Sequence, residues 1–174
     1  MKPRVENIEL PALEKTYAIR YLQANLSPGT VNFVAPAAGT TLIVQCRDPL
    51  DPPRRALKDA LCEWLRAKAR EHITPLLSQL AQEHGFPPPS GVRIAFQKSR
   101  WGSRSTTGVV SFSALMMFFP PDLLRHVVLH ELCHIRHMNH GMAYQTLLKQ
   151  TDPKTPLYEM QLKKAGVFMP DWIK

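Results

Sequence analysis

Residues 120–140 read PPDLLRHVVLHELCHIRHMNH. Two prolines and an aspartate open the stretch, a composition that suits a first helical turn, where a missing N–H costs nothing. Leu123, Leu124, Val127, Val128, Leu129 and Leu132 then recur at helical steps, which predicts an apolar helix beginning at Pro120-Pro121-Asp122. Five of the chain's seven histidines fall here, at positions 126, 130, 134, 137 and 140. Such a concentration has four readings: a metal site, a basic face, a pH switch, or chance.

The spacing His130-Glu131-Leu132-Cys133-His134 favours the metal. Residues four apart on a helix lie about 40° apart around the axis and one turn along it, so both imidazoles can grip one Zn²⁺ from the same face. Glu131 is rotated by about 100°, beside the ion rather than on it. A general base for a zinc-activated water belongs there. The plainer alternative is a pair of hydrogen-bonded histidines on a core helix.

Catalytic zinc takes three protein ligands and keeps one open position. His137 lies close to His130 in projection but about 10 Å along a continuous helix, a row that closes no tetrahedron. His140 would be about 15 Å away unless the helix broke. Met138-Asn139 is the predicted break, because Asn tolerates left-handed backbone and Gly141 can relax the turn. His140 is therefore the expected third ligand, and His137 is left as a rim residue, a transition-state donor or a bystander. His126 reads as an ordinary core or surface histidine, and Cys133 as a small apolar-like residue inside the helix.

Working outward, the 174 residues suffice for one domain with a real core. Residues 1–14 read as a weakly ordered lead-in to a domain over 15–174. Short strands are expected near 17–24, 30–34 and 40–46, forming a small N-terminal sheet. Asp51 is the expected cap of a long helix over 53–84, kinked at Pro75. Residues 91–96 and 108–113 read as a hairpin around the turn-like Trp101-Gly102-Ser103. Helices near 142–150 and 156–165 close an α+β pattern.

Composition narrows the classes. No run approaches twenty apolar residues, so no membrane-spanning segment is expected. The first residues lack the apolar core of a secretory signal, and three irregularly spaced cysteines do not make a disulfide framework; a cytoplasmic protein is expected. The net charge of +8 leaves polyanions open as partners. Yet the basic residues are scattered (Arg54-Arg55, Arg66, Lys68 and Arg70, Lys98, Arg100 and Arg104, Lys163-Lys164), which reads as a solvated surface. DNA association stays as a secondary reading.

The order Arg100-Trp101-Gly102-Ser103, a short strand, an apolar helix with HELCH, then Asn139-His140-Gly141 and an aromatic resembles the YgjP-type small metallopeptidases. These are similar in turn to the SprT-like and WLM groups of zincins. The resemblance runs over roughly residues 17–166 and is strongest from Lys98 to Asp152. It implies a zincin-like fold, zinc held by His130, His134 and His140, Glu131 as the catalytic carboxylate, and a protein or peptide substrate. Metzincins share the ligand spacing, but their glycine position is His137 here. Where the YgjP-type pattern continues with cysteine after the serine, this chain has Arg104; Tyr144 and Gln145 stand where two aromatics are usual.

The expected activity is hydrolysis of peptide bonds by a metal-activated water. Gly108–Ser113 is a candidate edge strand on which an extended peptide could pair, beside the reading of an ordinary core hairpin. Tyr144, His137, Arg100 and Tyr158 are candidate transition-state donors. Two alternatives accompany this expectation: a nucleic-acid-associated module with a structural or vestigial zinc site, and a scaffold whose histidines only pack.

Overall fold

The computed structural model describes residues 4–97 and 99–173; Lys98, counted above among the basic residues, lies outside them. Chain order gives β1 (Asn7–Leu10), β2 (Lys15–Gln23), β3 (Asn32–Val34), β4 (Thr41–Cys46), α1 (Arg54–Glu83), β5 (Gly91–Ala95), β6 (Gly102–Arg104), β7 (Val109–Ser113), α2 (Pro121–Cys133), α3 (Met142–Thr151) and α4 (Thr155–Lys163). This is an α+β fold with two small sheets. Among the described residues no helix is long and apolar enough to cross a membrane.

The first sheet has the order β1-β2-β4-β3; β2 and β4 run parallel, and the outer pairs are antiparallel. Residues 7–13, expected to be weakly ordered, are a strand followed by a 3-10 turn. Ile8 and Leu10 alternate with charged or polar neighbours and are 1% and 0% exposed, so the backbone of β1 pairs with β2 while its apolar face packs into the core.

α1 presents Leu57, Leu61, Trp64, Leu65, Ile73, Leu77 and Leu80 to the interior at three- and four-residue steps. It runs through Pro75, whose ring is on the exposed side, where water can take up the carbonyl that loses its donor. Asp51 does not cap it. Pro53 holds the N-cap position in extended conformation, and among the described residues no side chain caps the end. Two intervening prolines keep Asp51 too far upstream to reach the first free N–H groups.

Residues 91–96 and 108–113 do not form a hairpin. β5 pairs with β7 in parallel, and β6 pairs with β7 antiparallel, giving the order β5-β7-β6. The turn-like Trp101-Gly102-Ser103 thus begins a strand. The tight connection is Ser105–Gly108, closed by Gly108 N to Ser105 O (3.0 Å) with Gly108 at φ +86°. β7 is consequently central, and the candidate edge for a peptide passes from Gly108–Ser113 to β6.

The apolar run Ala114–Phe119 is buried throughout, and α1 lies against both it and α2. Nearly every side of α2 is covered, and its buried residues include His126 and Glu131 beside the apolar ones. The candidate residues sit on the most enclosed helix of the fold.

Candidate metal centre

α2 stops at Cys133, earlier than the break expected at Met138-Asn139. Its last turn tightens through Ile135 N to Leu132 O (2.9 Å) and Arg136 N to Cys133 O (3.1 Å). Glu14 is the only non-glycine with positive φ among the described residues, so Asn139 is not left-handed. Gly141 is extended (φ −69°, ψ −177°) and opens α3. The reversal is made by hydrogen bonds rather than by a left-handed residue. His134 Nδ1 donates to His137 O (3.0 Å), and Arg104 Nη1 donates to His134 O (3.3 Å).

These contacts bring His140 back to the helix. His140 Nε2 lies 3.1 Å from His134 Nε2 and 3.3 Å from His130 Nε2, and the three ligand atoms all fall within 4.8 Å of one another. Donors around a tetrahedral ion at about 2.0–2.1 Å stand about 3.3 Å apart. Two of the three separations have that spacing and the third stays within 4.8 Å, so the residues present can close around a small tetrahedral divalent ion. The bond from His134 Nδ1 to a carbonyl also fixes its tautomer, leaving Nε2 as the lone-pair donor. Burial, reinforced by the neighbouring histidines, pushes His130 down to about 3, and burial likewise lowers His134. Both rings stay neutral, as ligation requires.

Tyr144 forms the wall behind the trio. Its ring stacks on His134 (4.5 Å between centroids, 22°) and meets His130 and His140 edge-on. Its hydroxyl donates to His130 O (3.2 Å). Gln145 Nε2 donates to His140 O (3.2 Å), steadying the third imidazole from α3.

Glu131 points to the other side, against β6. It is 4% exposed, and its Oε2 is buried with no hydrogen-bond partner among the described residues. Burial pushes its carboxyl up to about 8, with the Arg100 charge pulling the other way. The room it occupies exists because residue 102 is glycine: a Cβ there would stand 2.5 Å from Glu131 Oε1 and 2.7 Å from its Cγ.

A cleft of about 230 Å³ is lined by Gly102, Ser103 and Arg104 of β6, His130, Glu131 and His134, and Met138 and His140 of the reversal. None of the four candidate transition-state donors lines it. His137 contributes its carbonyl, Tyr144 is committed to the wall, Arg100 acts on Glu131 through its charge, and Tyr158 packs on the far side against His126 (5.1 Å). His126 is fully buried and donates from Nδ1 to Asp152 Oδ2 (2.8 Å), tying α2 to the end of α3. Cys133 is buried outside the trio, its thiol pushed up to about 11 by burial. Sequence reasoning missed Gly102 as the seat of Glu131; the tripeptide around it was the only signal.

The family model for the YgjP-like metallopeptidase domain matches residues 5–165. No curated protein matches the chain at a significant level. Two solved structures align with part of it. One is the metallopeptidase zymogen of Methanocaldococcus jannaschii jannalysin, at 23% identity and TM-score 0.47, over 56% of this chain and 97% of that one. The other is the metallopeptidase zymogen of Pyrococcus abyssi abylysin, at 17% identity and TM-score 0.49, over 53% and 93%.

Proposed function

Because the chain belongs to the YgjP-like metallopeptidase domain family, we propose that it is a zinc-dependent peptidase in which His130, His134 and His140 hold the metal and Glu131 is the general base. The observation that carries this reading is the convergence of three imidazole nitrogens within 4.8 Å of one another beside a buried glutamate. All-imidazole donation suits zinc, and three protein ligands leave a fourth position. When bound, zinc supplies an acidified water and polarises the peptide carbonyl.

The remaining work falls to the chain's own groups. Glu131 takes the proton of the attacking water and passes it to the leaving amine. Its unpartnered Oε2 and raised pKa suit a group that must accept a proton and release it. His134 is held in one tautomer by His137 O. β6, on the edge of its sheet and along the cleft, is where an extended substrate pairs by backbone hydrogen bonds. Free Cys46, Cys62 and Cys133 accord with a reducing, cytoplasmic setting.

The test is metal analysis beside hydrolysis of an unstructured protein such as casein. The wild type should carry one equivalent of zinc and cleave the substrate. Glu131→Gln should keep the zinc and lose about 10²–10⁴-fold in kcat. Stoichiometric zinc with no Glu131-dependent hydrolysis, with or without DNA, would turn the reading toward a structural site.

A further inference from the structure

Arg104 is a cation placed in the cleft without a carboxylate partner among the described residues. Its Nη1 donates to His134 O (3.3 Å) and contacts Met138 Sδ (2.8 Å), while its Nε is buried with no hydrogen-bond partner among the described residues. Among the described residues no acid lies within ion-pair distance of it, whereas Arg4, Arg66 and Arg125 have Glu6, Glu63 and Glu83. Among the described residues Glu131 is the one acidic residue lining the cleft, and Arg100 already acts on it. A guanidinium offers five N–H donors, and the contacts seen engage one nitrogen.

Position along β6 says what that cation would meet. Gly102 and Arg104 lie on the same face of the strand, about 6.6–6.8 Å apart. Gly102 abuts Glu131, so Arg104 stands one same-face step from the reacting position. An extended peptide paired with β6 has the same repeat, and its side chain two residues from the scissile carbonyl comes level with Arg104.

We propose that Arg104 makes this cleft selective for peptides carrying a carboxylate about two residues from the bond that is cut. The inference rests on the peptidase reading and adds the substrate class. The carboxylate has two possible sources, an Asp or Glu side chain or the C-terminus of the peptide. The bond from Nη1 to His134 O holds the guanidinium in place in advance, which lowers the ordering cost of recognition. Arginine is suited to this task because its planar fork matches a carboxylate.

Two arms test it. In the first, Glu131→Gln protein carrying zinc is titrated with N-terminally dansylated pentapeptides containing Glu or Gln, each as free acid or amide. Carboxylate-bearing forms should bind about tenfold tighter or better. Adding Arg104→Gln should bring that ratio to about one, Arg104→Lys should keep part of it, and Arg104→Glu should favour a Lys-containing peptide. In the second, wild-type and Arg104→Gln proteins digest a proteome-derived peptide library, with cuts mapped by mass spectrometry. Enrichment of Asp and Glu two residues from the cut, or of cuts two residues from free C-termini, identifies the source, and either should vanish in the variant.

Equal binding of all four peptides to the Arg104-bearing protein overturns the proposal, as does a preference that survives Arg104→Gln. A uniform loss across the four marks Arg104 as a structural tether only. Carboxylate-selective binding with no cleavage by wild type sinks the peptidase reading and leaves the carboxylate site standing.

Discussion

Gly102→Ala is the smallest perturbation that reaches the proposed chemistry without touching a metal ligand. The added methyl carbon would stand 2.5, 2.7 and 2.8 Å from Glu131 Oε1, Cγ and Cδ, inside the 3.0 Å that real Cβ contacts essentially never cross. Glu131 has to retreat by about half an ångström to one ångström to restore ordinary contact. It is 4% exposed on a helix buried nearly all round, so the retreat ends off its rotamer or off its line to the substrate. A misplacement of about 1 Å costs on the order of 100-fold in rate, or about 2.7 kcal/mol of barrier. The expected result is therefore a kcat about 100-fold lower on casein, with zinc stoichiometry unchanged and stability lower by about 1–3 kcal/mol. On a Glu131→Gln background, Gly102→Ala should reduce activity hardly further, because both substitutions act on one group. Activity within threefold of wild type in the single variant would refute the steric argument, and so would a full additional loss in the double.

His140→Ala should weaken zinc binding by more than about 100-fold, beyond what outer hydrogen-bond partners of ligands cost; competition with a chromophoric chelator measures it, and wild-type affinity would remove His140 from the ligand set. Tyr144→Phe should cost about 1 kcal/mol of stability through the lost bond to His130 O and change kcat less than tenfold; a loss above 100-fold would make the hydroxyl a transition-state donor after all. For chelator-treated protein, burial raises the Glu131 carboxyl from 4.5 to about 8, so its contribution to stability is full below pH 4.5 and is lost as pH rises toward 8. The lowered His130 and His134 act in the opposite sense, removing stability as pH falls below 6.5. Melting between pH 6.5 and 8 thus isolates Glu131: the wild type should lose stability across that window, Glu131→Gln should not, and parallel curves would contradict the buried, unpartnered carboxylate.

What could be read from the sequence was set by the range of the interactions that make each feature. The helix carrying His130, Glu131 and His134 follows from local periodicity and a Pro-Pro-Asp start, and the structure begins it at Pro121. Its end does not follow, because Ile135 to Met138 have no residue that stops a helix. The stop comes from an imidazole reaching forward to His137 O and from a guanidinium on a distant strand. The strands over 41–46 and 109–113 are long enough to alternate, whereas β6 is three residues with no buried side chain and offers no pattern. Missing β6 also turned a parallel pair into an apparent hairpin and gave β7 an edge it does not have. β1 does alternate, but four residues beside a charged terminus gave it too little weight.

β6 explains why the least legible element matters most to the site. It buries no side chain fully, and a three-residue ladder adds only a few hydrogen bonds of about 1 kcal/mol each. Stability therefore does not dictate which residues stand there. Each of its positions instead meets α2 or the cleft. Gly102 gives Glu131 its space, Ser103 lines the opening, and Arg104 ties the strand to the reversal that returns His140. A strand selected for packing would put β-branched side chains at these positions, and any of them at 102 would displace the carboxylate. The low β-propensity of Gly-Ser-Arg is thus a consequence of the site. A local preference that disagrees with the observed strand marks the place where chemistry, rather than folding, chose the residues.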